Sequence, residues 1–516
     1  MDIVNISKKY NLSLITSEIL YSRGKNEEWK INKFLYNNLN HLHNPLLIPN
    51  IKDVAKQIQL HIDFGDLIYI FGDYDVDGVT ASAILYKTLK KMGSNVKVLI
   101  SDRKKGGYSL SKKEINIMSV ADLIITVDCG INSHKEIEYA KKLDIDIIVI
   151  DHHECNNPPN CLYIDLKVNQ GEYKFNKLSG AGITWKVCQY LIHDDLIDML
   201  DLVALSTVAD LVPLWEENRI IVKEGLCKIK NPGIKALMRL NGINELDTGK
   251  LGYIIAPCIN AQGRLNHNQL SFKLLTEKDS IKVEEIAGKL IKINEKRKLI
   301  EENNLKIARQ QINKKDNFII VQGNFKAGMV GIIAGDLKEE FKKPVIVFGK
   351  PNNNNICKGS GRSISPLNIL NTLKQVDELL MSYGGHQGAL GCSIHVNHIK
   401  ELKQRLNKIT KGIKYDYIKY DIEINTNKIN KKLINELKIF SPTGMGNPKP
   451  KFLIKDKITN IRTTRNKKHL QFKIGGIDCI AFQKGNETPK NKIIGSLEIN
   501  NWRGKNKIQI KVKELL

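Results

Sequence analysis

The sequence predicts an α/β protein. It has a parallel-sheet domain, a second α/β domain joined to it by a long helix, and a small C-terminal β-barrel. Three observations predict this. Between residues 66 and 215, short apolar, β-branched runs alternate with helical segments, the mark of a parallel sheet with right-handed crossovers. Residues 281–312 carry apolar side chains at 283, 286, 287, 290, 293, 300, 305 and 308, a helical spacing over some thirty residues. Beyond about residue 420 the chain turns to short alternating strands separated by turn residues.

Taken in order, residues 1–50 read as a mixed, helical N-terminal extension without a motif. IYIFGDYD then reads as a strand, VTASAILYKTLKKMG as a helix and NVKVLI as a strand. ADLIITVDCG, SHKEIEYAKKLD and IDIIVIDHH repeat the strand–helix–strand pattern, and LVALSTVADLVPL reads as a helix running into a loop. After the long helix, NFIIVQG and PVIVFG read as strands around the helix GMVGIIAGDLKEEF. KFLIKDKITNIRTT, KHLQFKIGGIDCIAF, KIIGSLEINN and KIQIKVKEL supply the strands of the barrel. The implied division is 1–50, 51–280, 281–315, 316–412 and 413–516.

Composition narrows the functional classes. At 516 residues with 42% hydrophobic content, two to four folded domains are expected. No run approaches the roughly 18 apolar residues of a membrane span. The N-terminal MDIVNISKKYNLS lacks the layout of a signal peptide. Nine cysteines without a C-x-x-C pair argue against a zinc ribbon and fit a reducing cytoplasm. The net charge is +25, and residues 401–516 hold 27 basic against 10 acidic residues, or +17. Such a segment suits a polyanion, most commonly nucleic acid. The alternative is a general bias of the chain toward Lys, Asn and Ile.

The stretch GDYDVDG places Asp73, Asp75 and Asp77 before Gly78, as in the start of an EF-hand calcium loop. Counting Asp73 as the first position, the twelfth is Ile84 where a bidentate Glu is required, and the ninth is Ala81. The preceding DLIYIF is a strand pattern rather than a helix. The unit is therefore strand, acidic turn, helix. In parallel sheets, ligands bind outside the carboxyl ends of the strands. Asp73, Asp75 and Asp77 follow one strand, Asp128 closes a second, Asp151, His152 and His153 close a third, and Asp210 follows the helix LVALSTVA. A lone aspartate after a strand is more often a cap or turn residue. Four such elements in order along one sheet edge point instead to a site for two Mg²⁺ or Mn²⁺ ions, which favour carboxylates and, for manganese, imidazole. Paired ions of this kind catalyse phosphoryl transfer.

The series GDYDVDG, TVDCG, DHH and ADLVPL resembles the motifs of the DHH phosphoesterase superfamily. More narrowly, it resembles the RecJ family of single-stranded-DNA-specific 5′→3′ exonucleases. The resemblance continues through APCINAQGRL, KGSGRSIS, YGGHQGALGCSI and PTGMGNPKPKF into NNWRGKNKIQIKV, covering about residues 50–516. It implies a DHH domain, a DHHA1 domain and an oligonucleotide-binding (OB) barrel. It also implies release of 5′-mononucleotides by two-metal hydrolysis in DNA repair and recombination. Asp75, Asp77, Asp128, His152 and Asp210 match the metal-binding positions, with Asp73 and Asp151 in support. His153 matches a position that contacts the scissile phosphate, and Arg103 one near the 5′ end of the strand. Arg264, Ser360, Arg362, Ser363 and His386 match positions that hold the nucleic-acid backbone. The family further implies a monomer that works with a single-strand-binding protein and a helicase.

Guanidinium groups and glycine-exposed amides suit phosphate on physical grounds as well, although an arginine taken alone is more often a surface ion-pair partner. Phe472 and Trp502 are candidates for base stacking, with the barrel core as the alternative. The chain departs from the family pattern at Cys258, where Arg is common, at Phe325-Lys326 in place of Trp-His, and at Leu390 in place of a small residue. These departures bear on how the strand is gripped and on DNA-versus-RNA preference. Two rivals remain. One is a DHH enzyme acting on oligoribonucleotides or cyclic dinucleotides, which typically lacks the barrel. The other is an inactive relative that only binds single strands.

Overall fold

A computed structural model describes residues 1–101, 110–265, 269–415, 419–465, 467–502 and 505–516, with the side chains of 264, 265, 501, 502 and 505 outside the description. The first sheet consists of β1 (Leu67–Gly72), β2 (Asn95–Ile100), β3 (Leu123–Val127), β4 (Asp146–Ile150) and β5 (Leu162–Ile164). All neighbours are parallel, in the order β2-β1-β3-β4-β5. β3 is buried at every position, as a central strand covered by helices on both faces must be. The order reverses between β1 and β3. A crevice opens at their carboxyl ends, because the helices that follow them leave on opposite sides.

The second sheet consists of β6 (Ile319–Gln322), β7 (Val345–Phe348), β8 (Ile356–Arg362), β9 (Leu380–His386) and β10 (Ala389–His395), in the order β6-β7-β8-β10-β9. Only β6 and β7 are parallel. The predicted long helix runs from Ser280 to Gln310. Val283, Ala287 and Leu290 enter the core of the first sheet, whereas Leu305 and Ala308 enter a core with β6, β7 and the helix Ala327–Phe341. One helix thus belongs to two cores and acts as a strut that sets the spacing between the sheets.

The third sheet consists of β11 (Ile422–Ile424), β12 (Phe452–Lys455), β13 (Ile458–Thr463), β14 (Leu470–Ile474), β15 (Ile477–Ala481), β16 (Lys492–Trp502) and β17 (Lys505–Leu515). Its order is β11-β12-β16-β17-β15-β14-β13. Phe472 lies in the alternation of β14 that buries Leu470, Phe472 and Ile474, and it is 3% exposed. It is a core residue and cannot stack on bases. The stretch read as an N-terminal extension is drawn into this same unit. Ile6, Ile19, Leu20 and Ile31, on the helices Ile3–Tyr10, Leu14–Ser22 and Glu28–Leu35, share a core with Phe440, Phe452, Ile474 and Ile493. Arg23 pairs with Asp421 at 2.7 Å, and Glu436 accepts hydrogen bonds from the Ser13 N–H and hydroxyl. A cut at residue 413 would therefore strip a hydrophobic face from the first three helices.

The barrel is also docked onto the first domain. Arg219, on the helix Glu216–Cys227, donates to the carbonyls of Ile439, Phe440 and Pro442, and its guanidinium lies 4.0 Å from the centre of the Phe34 ring. The Leu214 N–H and the Trp215 indole donate to the carbonyls of Met445 and Gly446. Among the described residues no helix is long and apolar enough to cross a membrane.

Candidate active site

The crevice at the carboxyl edge of the first sheet gathers the predicted acidic residues and histidines. Asp75 caps the helix Val76–Lys91, its Oδ1 accepting from the N–H groups of Asp77 and Gly78. Gly78 is required because the backbone of Asp73 passes beneath it. A Cβ at position 78 would lie 2.5 Å from the Asp73 carbonyl oxygen. The glycine of GDYDVDG thus serves a close approach of helix to strand, not a calcium loop. Asp73 accepts from the Ser101 hydroxyl at 2.8 Å. Asp128 follows β3 in the left-handed region, at φ 59°. Asp210 terminates the helix Leu200–Ala209.

Asp77 is 1% exposed and is held from a distance. Its two oxygens accept from the N–H groups of Gly180 and Ala181, at 2.8 and 2.7 Å, and from the Ser206 hydroxyl at 2.6 Å. The first two donors open the helix Gly180–Ile192, so Asp77 sits at a positive helix terminus. Gly180 also lets that helix reach Asp128, since a Cβ there would lie 2.8 Å from the Asp128 Cβ. The sequence reading missed Ser179, Gly180, Ala181 and Ser206. The only local signal was Ser179 as an N-cap ahead of the small residues G-A-G.

Asp151 organises the turn after β4. It accepts from the N–H groups of His152 and His153, from His153 Nδ1 at 2.7 Å, and from the Ile131 N–H. It is a positioning residue. Burial works against charge on both Asp151 and His153. Their mutual hydrogen bond prevails, holding Asp151 below the usual carboxylate range and raising His153 to about 9. His153 is therefore cationic near neutrality. Burial pushes the His152 imidazole down, which leaves it neutral and able to ligate.

His152 Nε2 lies 3.0 Å from Asp128, 3.5 Å from Asp77 and 3.7 Å from Asp210. Potential ligand atoms converge within 4.8 Å in three sets: Asp73, Asp75 and Asp128; Asp77, His152 and Asp210; and Asp128, His152 and His153. Asp128 Oδ1 and His152 Nδ1 are buried without a hydrogen-bond partner among the described residues. Burial, followed by the charge of neighbouring carboxylates, pushes Asp75, Asp128 and Asp210 upward, and raises Asp73 to about 7. Crowded like charges with idle donor atoms are what a divalent cation relieves. The oxygen-rich set with imidazole suits Mn²⁺ or Mg²⁺.

A pH dependence follows. A carboxylate whose pKa is near 7 when folded and about 3.9 when unfolded binds more protons in the folded state. The metal-free protein is therefore expected to lose stability as pH rises from about 4 to about 7. Mn²⁺ must expel those protons, so its affinity should rise over the same window. Calorimetry in two buffers of different ionisation heat measures the protons released. Binding without proton release would place the ion elsewhere.

The second sheet carries the residues expected to hold the strand. Arg362 on β8 and His386 on β9 both pair with Ala389 of β10, so the two side chains share one face. Ser360 lies on that face two residues from Arg362 and accepts from its guanidinium at 2.9 Å. Gly384 and Gly391 cross the same row as Ser360, and a Cβ at either would meet nothing within 4 Å. The face is open over β9 and β10, whereas Gly331 of the helix Ala327–Phe341 closes on Ser360 and Arg362 at its other side. Ser363 does not belong to it, being 8% exposed with its hydroxyl donating to the Leu367 carbonyl. Of the departures, Leu390 and Phe325 are buried, Lys326 is exposed before the helix Ala327–Phe341, and the Cys258 thiol is buried against Asn294. Arg103 lies outside the described residues, as do the side chains of Arg264 and Trp502.

Comparison with known proteins gives the family. The DHH family N-terminal domain matches residues 67–207, the DHHA1 domain 315–412 and the RecJ OB domain 420–514. The single-stranded-DNA-specific exonuclease RecJ of Bacillus subtilis (strain 168) is 30% identical over 540 residues, covering 99% of this chain and 69% of that protein. The crystal structure of RecJ in complex with Mn²⁺ from Thermus thermophilus superposes with a TM-score of 0.87 at 24% identity, covering 99% of this chain and 77% of that one. A crystal structure of exonuclease RecJ bound to manganese gives 0.63 at 28% identity, covering 72% and 97%. With three domains matched in order and a relative of this identity aligned along nearly the whole of it, this chain belongs to the RecJ family of single-stranded-DNA-specific exonucleases.

Proposed function

We propose that this chain degrades single-stranded DNA from its 5′ end, hydrolysing phosphodiester bonds to release 5′-mononucleotides in repair and recombination. The observation that carries the reading is the convergence of Asp73, Asp75, Asp77, Asp128, His152 and Asp210 at the switch point of the first sheet. Asp75, Asp77, Asp128, His152 and Asp210 would hold two Mn²⁺ or Mg²⁺ ions. When bound, such ions lower the pKa of a water and stabilise the departing 3′-oxygen. The protein's own part is to place the phosphate. With Nδ1 committed to Asp151, cationic His153 presents its Nε2–H to a phosphate oxygen. Arg103 and Arg264 are assigned to the 5′ end and the backbone on family resemblance alone. The Ser360–Arg362–His386 face is assigned to the backbone further along the strand.

The same reading divides the chain into a DHH domain (51–280), a connecting helix (281–315), a DHHA1 domain (316–412) and a basic OB barrel (413–516). It carries a cytoplasmic monomer that works beside a single-strand-binding protein and a helicase, supported only by the family. The test is a time course on one single-stranded DNA labelled at its 5′ end or at its 3′ end, with Mn²⁺ or with EDTA. Immediate release of labelled mononucleotide from the 5′-labelled strand, slow shortening of the 3′-labelled strand and silence in EDTA are expected. Binding without cleavage, on DNA and on short RNA alike, would make the protein a single-strand binder.

A further inference from the structure

Lys167 is a cation beside the crevice that the assignment above does not use. β5 pairs with β4 so that Ile164 lies opposite Ile150, and the Asp151 N–H donates to the Ile164 carbonyl. The residues after β5 therefore emerge next to the Asp151–His153 turn. Asp165, 2% exposed, accepts from the N–H groups of Lys167 and Val168 and fixes the bend that carries Lys167. The Lys167 ammonium lies 3.7 Å from the carboxylate of Glu154, the residue that follows His153.

The Glu154 side chain is 86% exposed and the Lys167 side chain 23%. An ion pair with so exposed a partner contributes little and exchanges readily for a stronger anion. A cluster dense in carboxylates repels the phosphate it must receive, and cations at its rim offset that repulsion. We propose that Lys167 is a phosphate-contacting residue of the crevice, its ammonium leaving Glu154 to take a backbone phosphate of the single strand beside His153. This rests on the exonuclease reading and adds a residue that fixes where the strand lies.

The test compares wild type, Lys167→Gln, Lys167→Arg and Glu154→Gln. Single-strand binding is measured by fluorescence anisotropy in EDTA across a salt series, and kcat/KM is measured with Mn²⁺. Lys167→Gln is expected to lower kcat/KM about tenfold, the worth of one charge-assisted hydrogen bond. It should also make the slope of log affinity against log salt shallower by about 0.7, the contribution of one phosphate contact. Lys167→Arg should keep the slope, and Glu154→Gln should keep or tighten binding. An unchanged slope in Lys167→Gln overturns the proposal whatever the rate does. A loss in Glu154→Gln equal to that in Lys167→Gln also overturns it, because the pair would then be structural. Wild type that binds without cleaving would defeat the exonuclease reading, while the slopes in EDTA would still decide the role of Lys167.

Discussion

Asp128→Asn is expected to abolish hydrolysis and, in the absence of metal, to raise the melting temperature. The two effects have one cause. Asp128 is buried, its Oδ1 accepts no hydrogen bond among the described residues, and burial together with Asp77, Asp75 and Asp210 pushes its carboxyl well above the usual range. A neutral amide of the same shape removes that repulsion. The gain should be about 1 kcal/mol, or roughly 1 °C for a cooperative unit of this size. It should grow with pH, because a carboxyl with a raised folded pKa costs stability only where the unfolded chain has released its proton. The loss of activity follows from metal binding. Several kcal/mol of transition-state stabilisation correspond to a rate lower by a factor on the order of 10³ or more. Wild type should gain stability on adding Mn²⁺, and the variant should gain much less. Turnover of labelled single-stranded DNA, with melting curves at two pH values and with and without Mn²⁺, reads all of this. A variant that turns over at the wild-type rate removes Asp128 from the site. Asp77 is the poorer choice for this experiment, since Asp77→Ala would strand the amides of Gly180 and Ala181 and the hydroxyl of Ser206.

Glu217→Ala should have the largest effect on stability. Glu217 pairs with Lys186 at 2.8 Å, and the two side chains are 0% and 1% exposed. The Tyr173 hydroxyl and the His43 N–H also donate to Glu217, and the Lys186 ammonium donates to the His43 carbonyl. The network ties the segment before the first domain to the helices Gly180–Ile192 and Glu216–Cys227. Removing the carboxylate leaves an ammonium, a phenol and an amide buried without their acceptor. Breaking such a pair costs about 3–5 kcal/mol. Lys186→Met combined with Glu217→Leu should recover much of that loss, because an apolar pair of similar volume avoids burying charge. Denaturant unfolding of the single and double variants measures the difference. A single variant as stable as wild type would show the network to be dispensable.

Much of the site was legible in the sequence because parallel sheets align strand ends. Short apolar runs give the strands, and the residues after them must share one edge. Asp73, Asp75, Asp77, Asp128, His152, His153 and Asp210 could therefore be collected by reading along the chain. The long helix was equally plain, since its apolar spacing is local. The amides of Gly180 and Ala181 were not legible, because they reach Asp77 across 103 and 104 residues and carry no side-chain signal. Nor was the fate of Ser363 and Phe472, whose residue types suit a surface as well as a core. Ser363, just past β8, turns its hydroxyl to the Leu367 carbonyl, and the alternation of β14 points Phe472 inward.

Local patterns of strand, turn and charge, with the motifs they carry, were enough to point to the family, to three folded units in order and to an acidic edge on the first sheet. They could not show that the first three helices complete the core of the C-terminal barrel, where Ile6 and Ile19 meet Phe440 and Ile493 across more than four hundred residues. Nor could they show that Lys167 comes to lie beside the turn that carries His153. Both depend on which surfaces meet when the chain closes on itself, and burial of apolar area selects those partners without regard to their separation in sequence.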